Sequence, residues 1–194
     1  IDSNISDHDT TEFDNLNILV LGGSQAARIF ADEFPQIFKK LKDSKIKIKI
    51  YQQCHKNQNA QLTQFYKKAQ IDFEIFNFTS NIMDYYSKSN LVITRSGASV
   101  LGELINFKIP FISIPLPTSA DNHQYKNAKF YSQKGYGNFL EEKDIKDKLY
   151  GLIVSTFNNK SMLNAILVKQ RQHSDKDIFK KLNNHIEKIL NEKN

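Results

Sequence analysis

The chain carries a single cysteine, Cys54, no tryptophan, four prolines and only seven glycines in 194 residues. One cysteine excludes an intrachain disulfide framework and any multi-cysteine zinc site, and it fits a reducing compartment. No apolar run approaches the ~20 residues of a membrane-spanning helix, and no signal peptide is visible. Arginine-rich blocks and basic-aromatic alternation are also missing. The net charge of +6 is a total spread along the chain rather than a patch, so we expect no nucleic-acid partner. Dispersed positive charge suits a phosphorylated ligand or an anionic membrane surface instead. The chain does not open on methionine, and we read it as a fragment or a trimmed chain.

With 40% hydrophobic residues, the chain can bury one substantial core, either a single domain or half of a larger protein. Residues 1–15 are polar and acidic without periodicity and read as a linker or disordered tail; the domain runs from 16 to 194. From Asn17, short β-rich runs alternate with helical stretches: NILVL, IKIKIYQ, DFEIF, LVIT, PFISIP and a short GNFL are each separated by a helical pattern. That rhythm predicts an α/β fold, a parallel sheet with helices on both faces and ligands beyond the carboxyl ends of the strands. Two C-terminal helices are expected, roughly Glu142 to Thr156 and Asp175 to Glu192. In the second, Ile178, Leu182, Ile186, Ile189 and Leu190 form one apolar stripe.

Three turns carry candidate chemistry. In LVLGGSQAAR, Gly22 and Gly23 between strand and helix let a ligand reach backbone amides, and Ser24 can donate a hydroxyl. The turn lacks both the GxGxxG spacing and the Gly-Lys-Ser/Thr ending, and a plain turn with Ser24 as N-cap fits equally. In TRSGASVLGE, Ser96, Gly97 and Ala98 leave the next helix N-terminus, from about Ser99, reachable by an anion. Glu103 lies one turn further on the Ser99 face; it reads either as a partner for ribose hydroxyls or as a solvated helix glutamate. In PTSADNHQYKNAKF, Asp121 is placed to cap a helix on which His123, Gln124 and Asn127 share one side. Cys54 reads as buried rather than nucleophilic, and the histidines at 8, 55, 173 and 185 read as structural or surface residues.

These elements in this order, GGSQ, then RSGAS with Glu103, then DNHQ with Asn127, resemble the C-terminal half of the MurG family. Its members are bacterial transferases that move N-acetylglucosamine (GlcNAc) from UDP-GlcNAc to lipid I, giving lipid II of peptidoglycan. The resemblance covers Asn17 to the C-terminus. It implies one half of a GT-B glycosyltransferase, a Rossmann-like domain that binds the donor, with UDP-GlcNAc as substrate and no cofactor or metal. By position, Gly23 and Ser24 would reach the donor phosphates and the backbone near Thr79 the uracil. Ser96, Gly97, Ala98 and Ser99 would line the diphosphate, Glu103 would hold the ribose, and His123 with Gln124 the sugar. Arg95 and Asn127 would support the site. The chain departs from the family's common pattern at Ala26 and Val100.

The family's GGTGGH-type segment, which brings the acceptor site and the candidate base, is absent from the sequence. The resemblance therefore implies no catalytic residue here, no transfer by this chain alone, and a lipid I acceptor met through an N-terminal domain. It also implies peripheral association with the anionic cytoplasmic face of the bacterial inner membrane. Two other readings stay open: the donor half of another GT-B lipid glycosyltransferase, and a binding module that has lost donor affinity.

Overall fold

The structure, a computed structural model, describes residues 15–23 and 28–173. The expectations placed on the N-terminal tail up to residue 14, on Ser24 and Ala26, and on the Ile178 to Leu190 stripe lie outside the described residues. The expected sheet is present. Its strands are β1 (Leu16–Leu21), β2 (Ile48–Gln53), β3 (Asp72–Phe76), β4 (Leu91–Thr94), β5 (Phe111–Ser113) and β6 (Asn138–Phe139). They run in the order β3-β2-β1-β4-β5-β6, and all five pairings are parallel. The helices are α1 (Arg28–Asp43), α2 (Asn59–Lys68), α3 (Ile82–Lys88), α4 (Ala98–Asn106), α5 (His123–Gln133), α6 (Ile145–Asn158) and α7 (Lys160–Gln172).

The strands are apolar on both faces because helices cover both. Side chains alternate along each strand, so Ile18, Val20, Leu91, Ile93 and Ile112 face one core with α1, α2 and α6. Leu19, Leu21, Val92 and Phe111 face the other, with α3 and α4. On α1, Phe30, Phe34, Phe38 and Leu41 recur at helical spacing and are fully buried or nearly so; the Phe30 and Phe34 rings stack at 4.5 Å. No helix among the described residues is long and apolar enough to cross a membrane.

Two expectations change. Residues 160–172, left between the two expected C-terminal helices, form α7. Asn159 caps it by accepting from the Met162 N–H at 3.0 Å, and Leu163, Ile166 and Gln170 are buried at spacings of three and four. The Gln170 amide donates to the Ile109 and Tyr136 carbonyls at 3.0 and 2.7 Å, tying α7 to the turns that lead into β5 and β6. Asp121, expected to cap α5, instead sits at φ +49° in a short 3-10 turn, and Asn122 at φ +53° is the N-cap, without a side-chain capping bond.

Gly137, just before β6, has no room for a side chain: a Cβ there would lie 2.4 Å from the buried Phe111 ring. Gly137→Ala is expected to cost about 1–2 kcal/mol by overpacking. Urea denaturation measures it, and an unchanged midpoint would show that Phe111 moves aside freely.

Candidate functional site

The strand order reverses between β1 and β4, and at such a switch point the connections diverge and leave a crevice beyond the strand ends. A cavity of about 1220 Å³ opens there, lined by Leu21 and Gly23 at and just past the end of β1, by Thr94 and Arg95 at and just past the end of β4, and by Gly97 and Val100 at the start of α4. It is roomier than the ~300–1,000 Å³ of ordinary small-molecule pockets. Its far wall comes from the ends of β2 and β3.

Gly97 is the N-cap of α4, in extended conformation and without a side-chain capping bond. The first-turn amides of α4, at the exposed Ala98 and Ser99, therefore carry the partial positive charge of a helix start with no side chain neutralising it. Ser96, before the cap, is fully buried. Its N–H donates to Gln124 Oε1 at 3.3 Å and its carbonyl accepts from Asn127 Nδ2 at 3.0 Å, while its hydroxyl has no hydrogen-bond partner among the described residues. Gln124 Oε1 also accepts from the Leu116 N–H at 3.0 Å. Two amides one turn apart on α5 thus hold the β4–α4 turn in place. Gln124 lines the cavity as well; His123 is exposed, with Nδ1 2.8 Å from the Ala120 carbonyl.

Arg95 faces the cavity yet is only 8% exposed. Its Nη2 lies 2.5 Å from Glu142 Oε2, its Nη1 donates to the Ile114 and Pro115 carbonyls at 3.3 Å each, and its guanidinium sits 4.7 Å from the Phe30 ring centre. A planar fork with several donors can do all of this at once. Glu103 is half-buried rather than solvated: Oε2 accepts from the Tyr86 hydroxyl at 2.9 Å. Burial, and then this bond, raises the Tyr86 pKa above its ordinary value. Among the described residues no group of three His, Cys, Asp or Glu side chains could hold a metal ion.

Of the far wall, sequence reasoning names only the backbone near Thr79 as part of the site and passes over Cys54, Asn59 and Asn77 there. Asn77 Nδ2 donates to the Cys54 carbonyl at 2.8 Å and to Asn59 Oδ1 at 2.9 Å, and Asn59 Nδ2 returns a bond to Asn77 Oδ1 at 3.2 Å. Cys54 and Asn77 also line the cavity, next to the 85% exposed Phe78. Thr79 is half-buried, its hydroxyl accepting from the Asn81 N–H at 3.0 Å. Cys54 is buried as expected, and burial pushes its thiol up to about 11. Since only the thiolate is nucleophilic, iodoacetamide labelling of Cys54 is expected to stay slow at pH 8 and to rise as pH approaches 11. Rapid labelling at pH 8 would contradict the buried, protonated thiol.

Residues 17–192 match the family model described as the glycosyltransferase family 28 C-terminal domain. Among curated proteins, the chain is 36% identical to a Pelagibacter ubique relative over 183 residues, covering 92% of this chain and 50% of that protein. A Rickettsia bellii relative is 35% identical over 179 residues, covering 89% of this chain and 49% of that one. Both are named UDP-N-acetylglucosamine--N-acetylmuramyl-(pentapeptide) pyrophosphoryl-undecaprenol N-acetylglucosamine transferase. The chain spans about half the length of these curated relatives. The crystal structure of Acinetobacter baumannii MurG superposes with a TM-score of 0.73 at 27% identity, over 86% of this chain and 49% of that one, in keeping with one half of a GT-B glycosyltransferase. With the family pattern running from Asn17 nearly to the C-terminus, on a sheet whose switch point opens onto the cavity, the chain belongs to the glycosyltransferase family 28 C-terminal domains.

Proposed function

We propose that the cavity binds UDP-GlcNAc as the donor half of a transferase that moves GlcNAc onto lipid I to give lipid II. The observation that carries this reading is the uncapped N-terminus of α4 at the switch point, in a chain whose relatives are named for that transfer. The diphosphate sits on the amides from Gly97 to Ser99, with the Ser96 hydroxyl, unpartnered among the described residues, behind them and Gly23 at the same cavity. Glu103 takes the ribose hydroxyls. The uracil lies against the backbone between Asn77 and Thr79, with the exposed Phe78 ring as a surface for its π-face. His123 and Gln124 meet the sugar.

In the reaction the acceptor hydroxyl attacks the anomeric carbon from the face opposite UDP, and the bond from that carbon to the diphosphate oxygen breaks with inversion. The acceptor proton passes to a base on the N-terminal domain. Charge developing on the departing diphosphate is stabilised by oriented amides rather than by a metal. Acceptor and base belong to the N-terminal domain, so this chain alone is not expected to turn over lipid I. A lipid-linked acceptor places the working enzyme at the cytoplasmic face of the bacterial inner membrane, bound peripherally, where the net charge of +6 favours anionic lipid.

Backbone amide NMR of the chain titrated with UDP-GlcNAc tests the pose. The largest shifts are expected at Gly97 to Val100 and at Asn77 to Thr79. Shifts confined to other surfaces would overturn it.

A further inference from the structure

We infer that Glu142 is a positioning residue for the nucleotide site, acting through Arg95. This rests on the donor-site reading above. Glu142 lies 47 positions beyond Arg95 in the chain (142 − 95), in the short 3-10 turn Glu142–Asp144 ahead of α6. It has no place in the sequence motifs. Yet its carboxylate holds Arg95 at 2.5 Å, with side-chain exposures of 10% for the arginine and 21% for the glutamate.

What Arg95 holds in turn explains why the pair matters. Its guanidinium binds the carbonyls of Ile114 and Pro115 where the chain leaves β5, and packs over Phe30 of α1. Its own N–H donates to the Leu21 carbonyl at the end of β1, at 3.3 Å. One residue therefore fastens the ends of β1, β4 and β5 together around the switch point. The next residue is Ser96, whose peptide is fixed by Gln124 and Asn127, and the one after is the Gly97 cap. Glu142 Oε2 meets Nη2 as an ion pair without hydrogen-bond geometry among the described residues, so it sets the orientation of the fork through charge. Without its carboxylate, the Nη2 side of a buried guanidinium loses its charged partner and the planar group is free to turn off the Ile114 and Pro115 carbonyls. The β4–α4 turn would then lose its definition, and with it the diphosphate seat, whereas the wall around Asn77 and Phe78 belongs to β2 and β3 and keeps its own hydrogen bonds.

The experiment compares the unsubstituted chain with Glu142→Gln and Glu142→Asp by NMR titration with UDP and with uridine, after thermal melts confirm folding at the titration temperature. UDP affinity is expected to fall at least tenfold in Glu142→Gln and to recover at least partly in Glu142→Asp. Uridine affinity, reported by the Asn77 and Phe78 amides, is expected to stay within twofold throughout. A general loss of fold quality would move both ligands together and overturn the inference. UDP binding unchanged in Glu142→Gln would overturn it too, as would tighter binding, which would mean that Glu142 acts only by repelling the diphosphate. Absence of UDP and uridine binding to the unsubstituted chain would instead remove the donor-site reading on which the inference stands.

Discussion

Arg95→Ala is expected to destabilise the chain by about 3 kcal/mol, the low end for removing one member of a buried ion pair. The substitution leaves the Glu142 carboxylate mostly buried without its cation, strips the Ile114 and Pro115 carbonyls of their donor, and removes the planar group over Phe30. For a chain of this size, that loss lowers the melting temperature by roughly 6–12 °C. Arg95→Lys is not expected to restore the wild-type value, because an ammonium keeps the charge but lacks the two separate nitrogens that reach Glu142 on one side and the Ile114 and Pro115 carbonyls on the other. A loss below about 1 kcal/mol would put the pair among surface ion pairs and undercut its place at the centre of the strand ends.

The second large effect concerns the ligand. Glu103→Ala is expected to weaken UDP-GlcNAc binding by about 1.5–3 kcal/mol, the worth of a charged hydrogen-bond partner, or at least tenfold in Kd. Glu103 Oε2 is already engaged by Tyr86, which in the proposed pose holds the carboxylate in place for the ribose. The bond itself contributes about 1 kcal/mol to stability, so a melt must accompany the titration. Uridine and UDP should both lose affinity, since both carry the ribose; a variant that loses only the diphosphate contribution would place Glu103 elsewhere.

Much of this was legible in the sequence, for identifiable reasons. Strands such as Leu91–Thr94 are buried on both faces and read as unbroken apolar runs, and α1 repeats its phenylalanines every four residues. The β4–α4 turn stands out in the sequence because a run of small residues separates an apolar strand from a helix. Asn127 and Arg95, expected as supports, make backbone and ion-pair contacts. What escaped depends on neighbours distant in sequence. Asn77 meets Cys54 and Asn59 only because β2 and β3 lie side by side, and no local pattern links them. Glu142 looks like one more surface carboxylate until the fold sets it against Arg95. The α7 helix is hard to read from sequence because its buried positions include a glutamine, Gln170, whose value lies in two carbonyls it reaches across the fold. Asp121 has the composition of a capping residue, which does not reveal its left-handed backbone.

The most direct measurement of the central claim is calorimetric titration of this chain with UDP-GlcNAc, UDP-GalNAc and UDP. Binding at roughly 0.1–1 mM, about −5.5 to −4 kcal/mol, with the GlcNAc nucleotide preferred, is the expected result. No heat of binding with any of the three at millimolar concentration would contradict a donor site built on this chain's own residues.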